Sequence, residues 1–171
     1  MYLKNASWLF LDRLVRIFGG LLVGIWIARY LGPSNFGILN YSLAYVAFFQ
    51  VFVFLGLNQI VVRELVKHPN HSNYILGTAF GLKFFGSILG MVGVSISLFF
   101  FQTDHITKLV IFILTFGIFF QSVDVISYFF EAKIISKYTV IARSLGFLFS
   151  SLLSIFFILN EYSVIYFALS Q

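Results

Sequence analysis

Tyr74-Ile-Leu-Gly-Thr-Ala-Phe-Gly-Leu-Lys83-Phe-Phe-Gly-Ser-Ile-Leu-Gly90-Met-Val-Gly-Val-Ser-Ile-Ser-Leu-Phe-Phe-Phe101 carries a single charge, that of Lys83. A helix needs about 20 predominantly apolar residues to cross the ~30 Å hydrocarbon core of a bilayer, and this stretch is longer than that. Working outward, the same pattern recurs at about residues 14–31, 36–62, 109–130 and 140–159, each run set off by a short polar stretch that bears charge. The rhythm predicts an all-α, polytopic transmembrane helix bundle with five complete spans. A sixth apolar run opens near Ser163 and reaches only Gln171, which is too short to cross. The expectation is one transmembrane bundle over 1–171, the N-terminal fragment of a longer protein.

Composition agrees. Sixty per cent of the 171 residues are hydrophobic and 10% are charged, against roughly 25% charged in soluble domains. The formal charge of +5 does not point to nucleic acid, because the basic residues are scattered between spans and not gathered on one face. With no cysteine there is neither a disulfide framework nor a thiolate metal site. The opening residues resemble a signal peptide's basic region, yet Asp12, Arg13 and Arg16 lie too deep and no small-x-small cleavage site follows, so the first span is expected to be retained.

Lys and Arg near the span ends set the orientation. With the N-terminus in the cytoplasm, that side receives Lys4, Arg13, Arg16, Arg63, Lys67, Lys133, Lys137 and Arg143, eight residues, and the other side Arg29 and Lys108, two residues. The loops at 32–35, 102–108 and 160–163 are then extracytoplasmic. Trp8, Trp26, Tyr30 and Tyr41 fall mostly near the interfaces, as aromatic belts do.

A charge within a span is costly and marks a functional candidate. Lys83, Gly86, Gly90, Gly93 and Ser97 share one helical face, so Lys83 points the same way as the small residues that let helices approach. It faces protein or a cavity, or else snorkels to the headgroups. Gly117, Gln121, Asp124, Tyr128 and Glu131 form a second stripe. Within it Asp124 is a candidate for ion coupling, with a structural ion pair as the alternative. Arg143, Gly146, Ser150 and Ser154 form a third, and Asn40, Ala44, Ala47, Val51, Phe54 and Asn58 a fourth. Both look like packing faces with a polar margin. Asp12 and Arg16 stand at i, i+4, the spacing of a helix ion pair, while Arg13 and Arg16 share a face with Gly20 and Gly24. Lys83, Asp124 and Arg143 all lie toward the cytoplasmic ends of their spans. They suggest a mainly cationic vestibule with Gln121, Asn58, Arg13 and Arg16 as further lining, or a charge cluster that only sets helix register.

Soluble chemistry is poorly represented. His68 and His71 lack a third ligand, and no P-loop, dinucleotide fingerprint or HExxH motif occurs. No cofactor, metal or catalytic residue is expected, and no enzymatic activity.

The opening carries a more specific signal. Asn5-x-x-Trp8-Leu-Phe-Leu-Asp-Arg13-Leu-Val-Arg16, then Gly20-Leu-Leu-Val-Gly-Ile-Trp-Ile-Ala-Arg29-Tyr-Leu-Gly-Pro33-Ser-Asn-Phe-Gly37, and Leu57-Asn-Gln-Ile-Val-Val-Arg63-Glu resemble the first spans of bacterial O-antigen and polysaccharide flippases. These form the polysaccharide biosynthesis branch of the multidrug/oligosaccharidyl-lipid/polysaccharide exporter superfamily. The resemblance implies a two-lobed bundle in the inner membrane that moves undecaprenyl-diphosphate-linked repeat units by alternating access, for O-antigen, lipopolysaccharide or capsule assembly. Its partners would be the lipid-linked oligosaccharide, membrane lipids and other polysaccharide-assembly proteins. A cationic cavity would receive the anionic headgroup, for which Lys83 and Arg143 are suitable by chemistry. A drug/cation antiporter of the same superfamily, a membrane-embedded glycan polymerase and an inactive truncated remnant are the alternatives.

Overall fold

The computed structural model describes residues 2–54, 56–101, 103–135 and 137–171, with side chains from residue 10 onward apart from 11 and 53. The side chain of Trp8 therefore lies outside the described residues, as does Gln102. Among the described residues every regular element is helical: α1 Tyr2–Phe54, α2 Leu57–Lys67, a 3₁₀ turn Pro69–His71, α3 Ser72–Phe100, α4 His105–Phe120, a 3₁₀ turn Gln121–Asp124, α5 Val125–Ala132, α6 Lys137–Leu159 and α7 Val164–Leu169.

Among the described residues, four helical segments are long and apolar enough to cross a membrane: Asp12–Phe52, Pro69–Phe100, His105–Ala132 and Lys137–Leu159. The chain is thus a multi-pass membrane protein, although the count differs from the five complete spans read in the sequence. The difference arises at Gly32, the one non-helical residue inside α1, at φ 70° and ψ 174°. That region of backbone space is essentially restricted to glycine. Pro33 follows at a position where a helix starts without needing the proline's missing N–H, so the first two apolar runs join without a loop.

The packing shows which way each arm of α1 runs. Residues before Gly32 pair with α6 in ascending order: Asp12 accepts a hydrogen bond from Ser144, Gly19 abuts Phe147, and the Tyr30 hydroxyl donates to the Tyr162 carbonyl just past α6 at 3.0 Å. Residues after Gly32 pair with α3 in descending order, Tyr45 donating to Ser97 at 2.6 Å and Phe49 covering Gly93. Phe84–Phe119 ring contact makes α3 and α4 a hairpin, and Phe130–Tyr138 contact with the Asp124–Arg143 pair makes α5 and α6 another. The first arm therefore runs parallel to α6 and α3, and the second runs against α3. Gly32 reverses the chain.

α4 is the central element, with Thr107, Val110, Ile111, Leu114, Thr115 and Ile118 buried. They pack with Ile27, Leu31, Leu39 and Val46 of α1, Val94 of α3 and Phe167 of α7. Large apolar side chains such as Leu22, Phe48, Phe85, Phe112, Phe149 and Leu152 remain exposed, as a lipid-facing surface requires. Tyr30, Asn35, Ile106, Glu161 and Ser163 line one pocket, so the turn at Gly32, the start of α4 and the turn at 160–163 gather at one end of the bundle. At the other end the second apolar run stops early. α1 closes at Phe54, Gly56 adopts a left-handed φ of 63°, and an amphipathic α2 begins. Asn58 thus sits on α2 and does not continue the face of Asn40 and Ala47.

Candidate functional site

The first arm of α1 and the parallel α6 diverge enough to leave a groove of about 430 Å³, lined by Arg16, Gly20 and Gly24 on one wall and Arg143, Gly146 and Ser150 on the other. Local sequence explains the opening. A Cβ added at Gly20, Gly24 or Gly146 would meet nothing within 4 Å, whereas one at Gly19 would lie 2.8 Å from the Phe147 ring. The helices touch at Gly19–Phe147 and are held apart beside it. The stripe of Arg143, Gly146 and Ser150, which the sequence suggested as a packing face, is therefore a wall of an open groove along this part of its length.

Both guanidinium groups are held by carboxylates. Arg16 pairs with Asp12 one turn earlier, and Asp12, 7% exposed, also accepts a hydrogen bond from Ser144 Oγ at 3.1 Å. Arg143, next to Ser144, lies with Nη2 3.3 Å from Asp124 Oδ2, and both side chains are 44% exposed. The result is two cation–carboxylate pairs at one end of a serine- and glycine-lined groove. A guanidinium has five donors in a planar fork, so one carboxylate leaves donors free for a phosphate or sugar oxygen. An exposed pair is worth about 0–1 kcal/mol, which makes it exchangeable.

The other sequence candidates stand elsewhere. Lys83 is fully buried, with Nζ 4.8 Å from the Tyr128 ring centre and 5.7 Å from that of Phe54, and without a hydrogen-bond acceptor among the described residues. It joins the end of α1 to α3 and α5. Gln121 lines a second groove of about 510 Å³ with Gln50, Gly117 and Gln171; its Oε1 is buried without a donor among the described residues. The 3₁₀ turn at Gln121–Asp124 divides the stripe expected along the fourth span. Tyr128 becomes buried while Asp124 and Glu131 remain exposed. Asn58 and Arg13 are exposed.

Structure thus brings Arg16, Arg143 and Asp124 together, keeps Asp12 beside Arg16 as their i, i+4 spacing implied, and adds Ser144, Gln50 and Gln171, which sequence reasoning passed over. Asp12 and Ser144 position the two arginines, and Gln171 lines both grooves. Gln50 was discoverable, since an amide in the middle of an apolar run is itself unusual. Ser144 was not, because only the α1–α6 pairing reveals its partner. Among the described residues no group of His, Cys, Asp or Glu could hold a metal ion.

A family model described as polysaccharide biosynthesis protein matches residues 2–171. No curated protein and no solved structure matches the chain.

Proposed function

The chain belongs to the polysaccharide biosynthesis protein family, and from that premise we propose that it moves a glycan repeat unit carried on undecaprenyl diphosphate across the bacterial inner membrane. The arginine pair in the groove between α1 and α6 is the observation that carries this reading. A lipid-linked glycan brings two phosphates and many hydroxyls to bilayer depth while its polyprenyl tail remains among lipids. It needs a lateral groove with cations at one end and small, polar walls. Arg16 and Arg143 would take the diphosphate, Ser150 and its neighbours the sugar hydroxyls, and Gln121, Gln50 and Gln171 would extend the polar path into the adjoining groove.

The carboxylates give the site a way to exchange partners. A diphosphate arriving at Arg143 displaces Asp124, whose freed carboxylate is then open to a cation. Binding of substrate and ion would be linked in this way, with Asp124 as the coupling group and Asp12 holding Arg16 in place. Lys83 faces aromatic rings, away from the groove, and so has a structural part in this reading. The two arms of α1 would cross the membrane separately, giving five crossings with the N-terminus in the cytoplasm.

The test is binding to the chain in detergent micelles, measured by native mass spectrometry with an undecaprenyl-diphosphate oligosaccharide and with undecaprenol. Wild-type protein is expected to retain the diphosphate-linked compound well above undecaprenol. R16Q/R143Q should lower that retention about tenfold or more, by loss of charge-assisted hydrogen bonds worth about 1.5–3 kcal/mol each, and K83M should leave it unchanged. Equal retention of both lipids, or loss with K83M and not with R16Q/R143Q, would overturn the assignment.

A further inference from the structure

α3 is longer than its partner. Its first turns run from Ser72 to Lys83 before reaching the level at which Phe54 closes α1, an overhang of roughly 16 Å. There α3 packs against α2 instead, with Val61, Leu65, Ala79, Val125 and Tyr128 forming a separate small core. On the outer side of that core lies a groove of about 430 Å³ with an almost wholly apolar lining that includes Ile60, Val61, Ile75, Thr78 and Leu82. Its size falls in the range of small-molecule sites, roughly 300–1,000 Å³.

The rim has the opposite character. His68 and His71 line the groove's upper edge together with Glu64. Glu64 is engaged by its neighbours, 3.6 Å from Arg63 Nε and 3.9 Å from His68 Nε2. Arg63 and Lys67, at i+3 and i+7 from Ile60, stand on the adjoining face of α2 and are exposed. Between Leu57 and Leu82 there are two Lys or Arg and two His against one acid. An apolar slot edged by two histidines, with an exposed arginine and lysine on the adjoining face of an amphipathic helix at the end of a membrane span, offers a place for a lipid chain and, beside it, cations for an anionic phosphate.

We propose that the α2–α3 groove is a binding site for an anionic phospholipid, one acyl chain lying along Ile60, Ile75, Thr78 and Leu82 and the phosphate facing Arg63, Lys67 and His71. The site is distinct from the α1–α6 groove and does not depend on the transport reading. An occupied groove joins α2 to the start of α3, so the lipid holds this end of the bundle together.

The experiment places the protein in phosphatidylcholine vesicles containing a trace of either phosphatidylglycerol or phosphatidylcholine with a photoactivatable acyl chain, and maps the cross-links by mass spectrometry. Phosphatidylglycerol is expected to label Tyr74–Leu82 several-fold more than phosphatidylcholine does. R63Q/K67Q, two exposed substitutions, should bring that labelling down about tenfold, since each basic residue near an anionic lipid contributes on the order of one decade or less. T78W fills the slot and should abolish labelling there while the lipid-facing Phe149 and Leu152 of α6 remain labelled as in wild type. Equal labelling by the two lipids, or labelling of Tyr74–Leu82 that neither variant reduces, would overturn the site.

Discussion

Lys83 and Asp124 are the two charges that the sequence made most conspicuous, and the structure gives them opposite surroundings. Lys83 has lost all contact with solvent and, among the described residues, faces aromatic rings with no hydrogen-bond acceptor. Cation–π attraction contributes about 2 kcal/mol or somewhat more in such a desolvated setting, whereas burying an ammonium without an acceptor costs several. Lys83→Met, close in volume, is therefore expected to leave thermal stability in detergent unchanged or to raise it by about 1–3 kcal/mol. A loss above ~2 kcal/mol would mean that the amine has an acceptor. Asp124 is half exposed beside an equally exposed Arg143. Asp124→Asn should shift stability by no more than about 1 kcal/mol in the same assay, so that any larger effect on transport belongs to function and not to folding.

At the scale of elements, two glycines decide how helices meet. Gly32 turns α1 back on itself with a φ of 70° that an L side chain rarely adopts. Space is not the constraint there, since a Cβ would meet nothing within 4 Å. Gly32→Ala is expected to cost about 1–3 kcal/mol through backbone strain alone, read as a lowered melting temperature. Gly19 is constrained by contact instead. Its missing Cβ is what lets the Phe147 ring lie against α1, and small residues are how transmembrane helices approach. Gly19→Leu should destabilise by about 1–3 kcal/mol, while Gly20→Ala, one residue along and facing the open groove, should stay within about 0.5 kcal/mol. Equal losses at the two positions would show that the groove closes.

For the whole molecule, the decisive question is how often the chain crosses the bilayer. A straight helix of 53 residues would be roughly 80 Å long, more than twice the hydrocarbon thickness, but the opposed pairing of its two arms makes each about one membrane deep. Reporter fusions or cysteine accessibility should place residues near 34, 104 and 161 on one side of the membrane and residues near 70 and 134 on the other. From the excess of Lys and Arg, the second side is expected to be the cytoplasmic one. Finding residues 34 and 70 on the same side would refute the reversal at Gly32.

The sequence by itself was enough to determine that this is an all-helical membrane protein, because apolar runs of that length have no other low-energy setting than lipid. Its opening residues also carried the resemblance to polysaccharide flippases, and the family model agrees at the level of polysaccharide biosynthesis proteins. The i, i+4 pair of Asp12 and Arg16 was legible for the same local reason. Which charges face one another was not. Asp124 meets Arg143 across nineteen positions and Asp12 meets Ser144 across 132, separations over which periodicity says nothing. Helical spacing put Lys83 on the same face as Gly86 and Gly90, but only the packing of Phe54 and Tyr128 around it separated that lysine from the groove. The early end of the second span likewise depended on tertiary structure. Leu57–Lys67 carries enough apolar residues to prolong a span, yet its amphipathic face is satisfied against α3 and α5, and a left-handed residue at Gly56 sets it apart from α1. Local spacing specifies which residues share a face, whereas the neighbour that each face meets is settled by long-range packing.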